Sequence, residues 1–169
     1  LFHEMYGLDY TVLRYGSLYG PRANEKNAIF RYVQSAIRDG AVSYSGDLEA
    51  RREFIHVEDA ARASVVVLEA DYANEHIVLT GSQLLGVRDL FHMIGEVLGK
   101  PVEIRNSDQK KTAHYILTPY NFTPKMGRKY VPNMQIDLGQ GLLQLVQDMY
   151  HEHHPELGER AGYFVPEES

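Results

Sequence analysis

Apolar positions recur along this chain with two different periods, which divide it into short strands and amphipathic helices. Ile29, Tyr32, Val33, Ala36 and Ile37 fall on one face of a helix over Ala28–Arg38, and Gly40 ends it. Val87–Leu98 repeats that pattern and stops at Gly99, with Pro101 beyond it as a breaker. Leu138–Tyr150 also has helical spacing. Tyr10–Tyr15 (YTVLRY) is instead rich in β-branched and aromatic residues and flanked by glycines, which predicts a buried strand. Val42–Tyr44, Arg52–Val57, Ile77–Thr80 and Val102–Ile104 predict shorter strands. Residues 1–6 read as the last turns of a helix closed by Gly7, and Gly16–Pro21 as a turn-rich exit. Asp59 stands where its carboxylate would cap a helix over Ala60–Ala70.

Two stretches resist this parsing. Residues 106–135 contain Pro119, Pro124 and Pro132 and show no clean period; the acidic end after Pro155 predicts a poorly ordered tail. One strand–helix unit followed by short strands and helices is an α/β composition. Only one long strand is predicted, although a parallel sheet covered on both faces needs several neighbours.

Composition narrows the function. The 169 residues, 44% apolar and 24% charged, suffice for one domain with a core or for part of a larger one. No apolar run is long enough to span a membrane, and residues 1–10 lack the basic and apolar regions of a leader. The first residue is Leu1 rather than Met, as expected of a processed or truncated product. Cysteine is absent, which removes disulfides, thiolate nucleophiles and zinc–thiolate sites and fits a cytoplasmic location. With a net charge of -6 and no dense basic run, a nucleic-acid partner is not expected; Lys110–Lys111 and Lys125–Lys129 read as solvated surface. His151, Glu152, His153 and His154 do not make a metal motif, because Pro155 takes the last place of His-Glu-x-x-His. They read as a solvated helix end, favoured there by the helix dipole.

Chemistry is concentrated in two motifs. Leu13–Arg22 reads LRYGSLYGPR, and Gly46–Ala63 reads GDLEARREFIHVEDAARA. Both, in this order, resemble segments of the extended short-chain dehydrogenase/reductase family, the NAD-dependent nucleotide-sugar epimerases and dehydratases. The resemblance is specific over Gly7–Leu68 and diffuse afterwards. It implies a late strand region of a Rossmann-type parallel sheet plus a small mixed α/β substrate-binding lobe. On that reading residues 1–24 carry the tail of a catalytic helix and the late strand with its loop. Residues 25–155 would be the nucleotide-sugar-binding lobe, and residues 156–169 the tail.

The resemblance also assigns residues. The backbone of Tyr15 and Gly16 would lie near the nicotinamide of NAD or NADP in the intact protein, with core packing the alternative for the Tyr15 ring. Ser17 stands where many members carry an asparagine, and it offers one donor instead of two. GDLEARREF resembles the family's GDGxxxRDF, which makes Arg52 the diphosphate-binding residue, since a planar guanidinium matches a pair of phosphate oxygens. The alternative pairs Arg51 and Arg52 with Glu49 and Glu53 on the surface. Asn27 would lie near the nucleotide, and Phe54 with Val42–Tyr44 would help line the base pocket. Arg105 and Arg128 are the two candidates for the family's second phosphate-binding arginine, and RKYVP (Arg128–Pro132) partly matches the family's LGWxP segment.

The family's glycine-rich dinucleotide turn and its Tyr-x-x-x-Lys pair are not found in this sequence. The expectation is therefore no catalytic residue in this chain, no activity by it alone, and no NAD bound by it alone. The resemblance implies a homodimer when intact, with a nucleoside-diphosphate sugar as ligand. The competing expectation is a non-catalytic module that binds sugar nucleotides or another protein through the same lobe.

Overall fold

The computed structural model describes residues 2–82, 84–106 and 127–153. The elements run α1 (Phe2–Tyr6), β1 (Thr11–Tyr15), β2 (Ser17–Tyr19), α2 (Ala28–Asp39), β3 (Ala41–Tyr44), β4 (Arg51–His56) and α3 (Val57–Val66). After a 3-10 turn (Ala70–Tyr72) come β5 (Glu75–Leu79), β6 (Leu84–Gly86), α4 (Val87–Val97), β7 (Glu103–Asn106), β8 (Arg128–Lys129) and α5 (Leu138–His153).

Pairing is mostly parallel, as expected of an α/β chain. β5 lies between β1 and β8 with both pairs parallel; β2 runs parallel to β4, which pairs antiparallel with β6 on its other side; β3 and β7 form a separate parallel pair. The expected buried strand is half-buried at best. Among the described residues β1 has β5 on one side only, which leaves Arg14 and Tyr15 exposed. Ser17–Tyr19, read from sequence as turn, is a strand because its backbone pairs in register with Phe54–His56.

Two apolar clusters hold these layers. The larger gathers Ile29, Val33 and Ala36 of α2, Val87, Leu90, Phe91 and Ile94 of α4, and Leu142, Leu145, Val146 and Met149 of α5. Each helix contributes one stripe, as its i, i+3, i+4 spacing requires. The smaller packs Ile55, Ala60, Ala63 and Val67 against Ile77 and Leu79, under β5.

The third helix departs from expectation. It starts at Val57 rather than Ala60, and His56 caps it, Nδ1 accepting from the Glu58 amide at 3.4 Å. Asp59 is therefore already inside the first turn, where its carboxylate is buried and used elsewhere. Arg128–Pro132, read as an LGWxP-like segment, forms β8 beside β5 and the approach to α5. The residues 107–126 within the stretch read as illegible lie outside the described residues, as does the tail 156–169.

Candidate functional site

A cavity of about 310 Å³ opens between β2, the start of α2, β3 and β4. β4 supplies Arg52 and Phe54, two residues apart and so on the same face of the strand. β2 supplies Ser17 and Leu18, with Ser17 in register opposite Phe54. Lys26, Asn27 and the first residues of α2 form the rim, Tyr32 and Tyr44 one wall, and Val87 and Leu90 the floor. The structure thus brings Ser17, Asn27, Tyr44, Arg52 and Phe54 together around one space, although 37 residues of sequence separate Ser17 from Phe54.

Three sequence-predicted site residues are placed elsewhere. Val42 is fully buried in the core (0% exposed) and does not line the cavity; Tyr44, two residues on and so on the same face of β3, is only half-buried and reaches the cavity from the strand's end. Tyr15 is 43% exposed, not packed in a core, and its hydroxyl lies 2.6 Å from Ser64 Oγ. Gly16 donates its amide to Leu79 O. A Cβ at Gly16 would come within 2.8 Å of Glu53 O and 3.0 Å of Thr80 Cγ2, so the protein's own packing accounts for this glycine.

Asn27 serves the fold as well as the rim. Its Oδ1 caps α2 by accepting from the Phe30 amide at 3.1 Å, and its Nδ2 donates to Leu18 O at 2.7 Å. One side chain thus fixes the end of β2 against the start of α2.

Charge in the cavity runs against the protein's acidic balance. Two cations, Lys26 and Arg52, line it, and no Asp or Glu stands among its described lining residues. The two carboxylates of the alternative reading meet other cations: Glu49 pairs with Arg88 at 3.0 Å, and Glu53 with Lys129 at 2.6 Å. Arg52 Nη1 donates to Arg51 O at 2.8 Å. Arg105 pairs with Glu103, and Arg128 lies over the Tyr72 ring at 4.8 Å, so neither contributes to the cavity.

The aromatic wall is a cluster of three rings. Tyr32 and Tyr44 meet Phe91 edge to face at 5.1 and 5.6 Å, and each other at 6.2 Å. Burial pushes both tyrosine hydroxyls above their ordinary range, while the Arg52 guanidinium pulls each back down. They remain neutral donors at any physiological pH.

Sequence reasoning missed Lys26, Tyr32, Val87 and Leu90 as lining residues. Tyr32 was legible as a core-facing position of α2, but a helical period cannot say that one end of the face borders a hollow. A second hollow of about 460 Å³ beside α1, lined by Phe2, His3, Asp9 and Tyr10 among others, holds none of the motif residues. Among the described residues no cluster of His, Asp or Glu could hold a metal, and no helix is long and apolar enough to cross a membrane.

Comparison with known proteins agrees with the motifs. The sequence model of the NAD dependent epimerase/dehydratase family matches residues 1–80. The dTDP-glucose 4,6-dehydratase of Streptomyces griseus is 27% identical over 154 residues, covering 89% of this chain and 45% of that protein. The UDP-glucuronate 4-epimerase of Thermodesulfobacterium geofontis is 28% identical over 100 residues, 59% of this chain and 31% of that one.

Solved structures share the fold. The UDP-glucose 4-epimerase of Thermotoga maritima, determined with UDP-glucose, superposes with a TM-score of 0.70 at 24% identity, covering 90% of this chain and 49% of that one. The NAD-bound dTDP-glucose 4,6-dehydratase of Streptomyces venezuelae gives 0.67 at 26% identity, over 92% and 48%. This chain spans about half the length, or less, of the relatives it matches. Over residues 1–80 the chain thus matches the NAD dependent epimerase/dehydratase family, and its parallel α/β fold is the one these solved structures share.

Proposed function

We infer that the cavity binds a nucleoside-diphosphate sugar, and that this chain is the substrate-binding part of an NAD-dependent nucleotide-sugar epimerase or dehydratase. The observation that carries this reading is the make-up of the cavity: two cations, no carboxylate among the described lining residues, and an aromatic wall, in a chain of net charge -6. A diphosphate needs compensating charge out of bulk water, and a planar base needs a flat apolar face; few other ligands need both.

Arg52 and Lys26 hold the diphosphate, the guanidinium through paired hydrogen bonds and the ammonium as a point charge. Phe54, Tyr44 and Tyr32 flank the base, and Ser17 reaches toward the sugar side. Binding energy on the nucleotide orients the distant sugar, which is how a lobe without acid–base residues contributes to hydride transfer. NAD supplies that hydride chemistry in the family; in this reading it is held outside the described residues, in the cytoplasm and in a homodimer.

The test is a calorimetric titration of the chain with UDP-, GDP- and dTDP-sugars. Micromolar affinity for one of them, lowered about a hundredfold by Arg52→Ala, supports the reading. An affinity that Arg52→Ala leaves untouched removes the cavity as the site.

A further inference from the structure

We propose that the ion pair between Glu53 and Lys129 is a positioning device that sets the Arg52–Phe54 wall of the cavity from behind. This rests on the reading of the cavity as a nucleotide site. Glu53 lies between the two lining residues on β4, and alternation along a strand turns its side chain to the face away from Arg52 and Phe54. There it is nearly buried, 7% exposed, and Lys129 Nζ meets its Oε1 at 2.6 Å across 76 residues of sequence.

The surroundings show why this point controls the wall. Lys129 also donates to Gly81 O at 2.9 Å, so one ammonium ties β4 to the segment that follows β5. The backbone of β4 is pressed at the same place from both sides. A Cβ on Gly81 would stand 1.7 Å from Phe54 O, and one on Gly16 2.8 Å from Glu53 O. The two peptides that flank Phe54 are therefore each met by a glycine backbone, Gly16 at Glu53 O and Gly81 at Phe54 O, with Lys129 closing the set. β8 belongs to the sheet of β1 and β5, whereas β4 belongs to that of β2 and β6. Lys129 thus joins the two sheets where the ligand wall begins.

The pair has an electrostatic role as well. A carboxylate behind the wall opposes an anionic ligand in front of it, and at low effective dielectric that opposition is felt across one strand. Lys129 compensates the Glu53 charge and directs its carboxylate away from the two arginines beside it. Loss of Lys129 alone leaves a buried carboxylate deprived of this cation, which is worse than loss of both charges.

The experiment compares Lys129→Met, the double variant Glu53→Gln/Lys129→Met, and Lys129→Arg in the 169-residue chain. Ligands are whichever of UDP, GDP and dTDP the unaltered chain binds most tightly, and the matching nucleoside. Side-chain Nε–H NMR of Arg52 and the Phe54 ring signals are recorded without ligand. Lys129→Met is expected to weaken the diphosphate about tenfold and the nucleoside far less, and to shift the Arg52 and Phe54 signals. The double variant and Lys129→Arg are expected to recover most of the affinity and return the signals.

Equal losses for nucleotide and nucleoside with no recovery, or unmoved Arg52 and Phe54 signals in Lys129→Met, overturn the proposal. If no nucleotide binds the unaltered chain, the reading of the cavity falls by itself. The NMR comparison then still decides whether Lys129 positions Arg52.

Discussion

The carboxylate of Asp59 reaches across 77 residues of sequence to accept the backbone amide of Ile136 at 2.8 Å. Its other oxygen meets Arg62 Nη1 at 3.4 Å. Because Asp59 is buried at the first turn of α3 and Ile136 lies just before α5, this bond ties the two helices' starts together. Asp137 then caps α5, its Oδ1 accepting from Gly139 and Gln140. Asp59→Ala leaves a part-buried amide without that acceptor, and it is expected to cost about 1–3 kcal/mol, read as a lowered urea midpoint with unchanged m.

His56 makes stability depend on pH. Burial holds its imidazole below the ordinary value of 6.5, against the pull of Glu58 and Asp59 upward and with the push of Arg62 downward. Its Nδ1 must be unprotonated to accept the Glu58 amide. The unfolded chain therefore takes up the proton more readily than the folded one. The His56 contribution is fully present above about pH 6.5 and is lost as pH falls through the lower folded value. His56→Asn keeps a capping acceptor without titrating, so its urea midpoint should fall less than that of the unaltered chain between pH 7 and 5. Parallel profiles for the two proteins would sink the assignment.

Lys26 and Arg52 are expected to contribute unequally. Lys26 sits exposed at the rim, whereas Arg52 is half-buried against the aromatic wall. Lys26→Ala should weaken a nucleoside diphosphate by about three- to tenfold, an effect that shrinks in 0.5 M salt, on the order of a screened surface contact. Calorimetry at two salt concentrations checks this, and a salt-independent loss would place Lys26 deeper in the site than its exposure allows.

Gly81 tolerates no side chain. Its missing Cβ would overlap Phe54 O at 1.7 Å, and the obstacle is main chain that cannot swing away. Gly81→Ala is expected to cost about 3 kcal/mol or more, or to prevent folding, as seen by far-UV circular dichroism and urea titration. Gly40→Ala is the comparison: with nothing within 4 Å and φ +62, it carries only the strain of a left-handed backbone, about 1–2 kcal/mol.

Helices α2, α4 and α5 were legible in the sequence because each has a period of 3.6 residues and, for α2 and α4, a glycine stop. The strands β2, β6 and β8 were not, since two or three residues carry no measurable alternation and exist only through their partners. The helix start at Val57 was hidden because histidine is an uncommon cap and Asp59 offered a stronger signal. In the cavity, Ser17, Tyr44, Arg52 and Phe54 followed from motif resemblance, whereas Lys26 and Tyr32 come from where α2 is set down. Lys129 was read as solvated surface, and nothing local announces a partner 76 residues earlier.

The wall that carries Arg52 is assembled from β2, β4 and β6 and anchored through β8, segments scattered from Ser17 to Lys129. Such a surface has high contact order: no short stretch of the chain contains it, and its closing contacts come after the longest loops. During synthesis the wall cannot be set until Lys129 has left the ribosome. A chain cut anywhere before that residue can keep α2 and its stripe while losing the placement of the guanidinium. The ligand face is a late product of folding, and a mutation in β8 can silence it without touching a single residue that lines it.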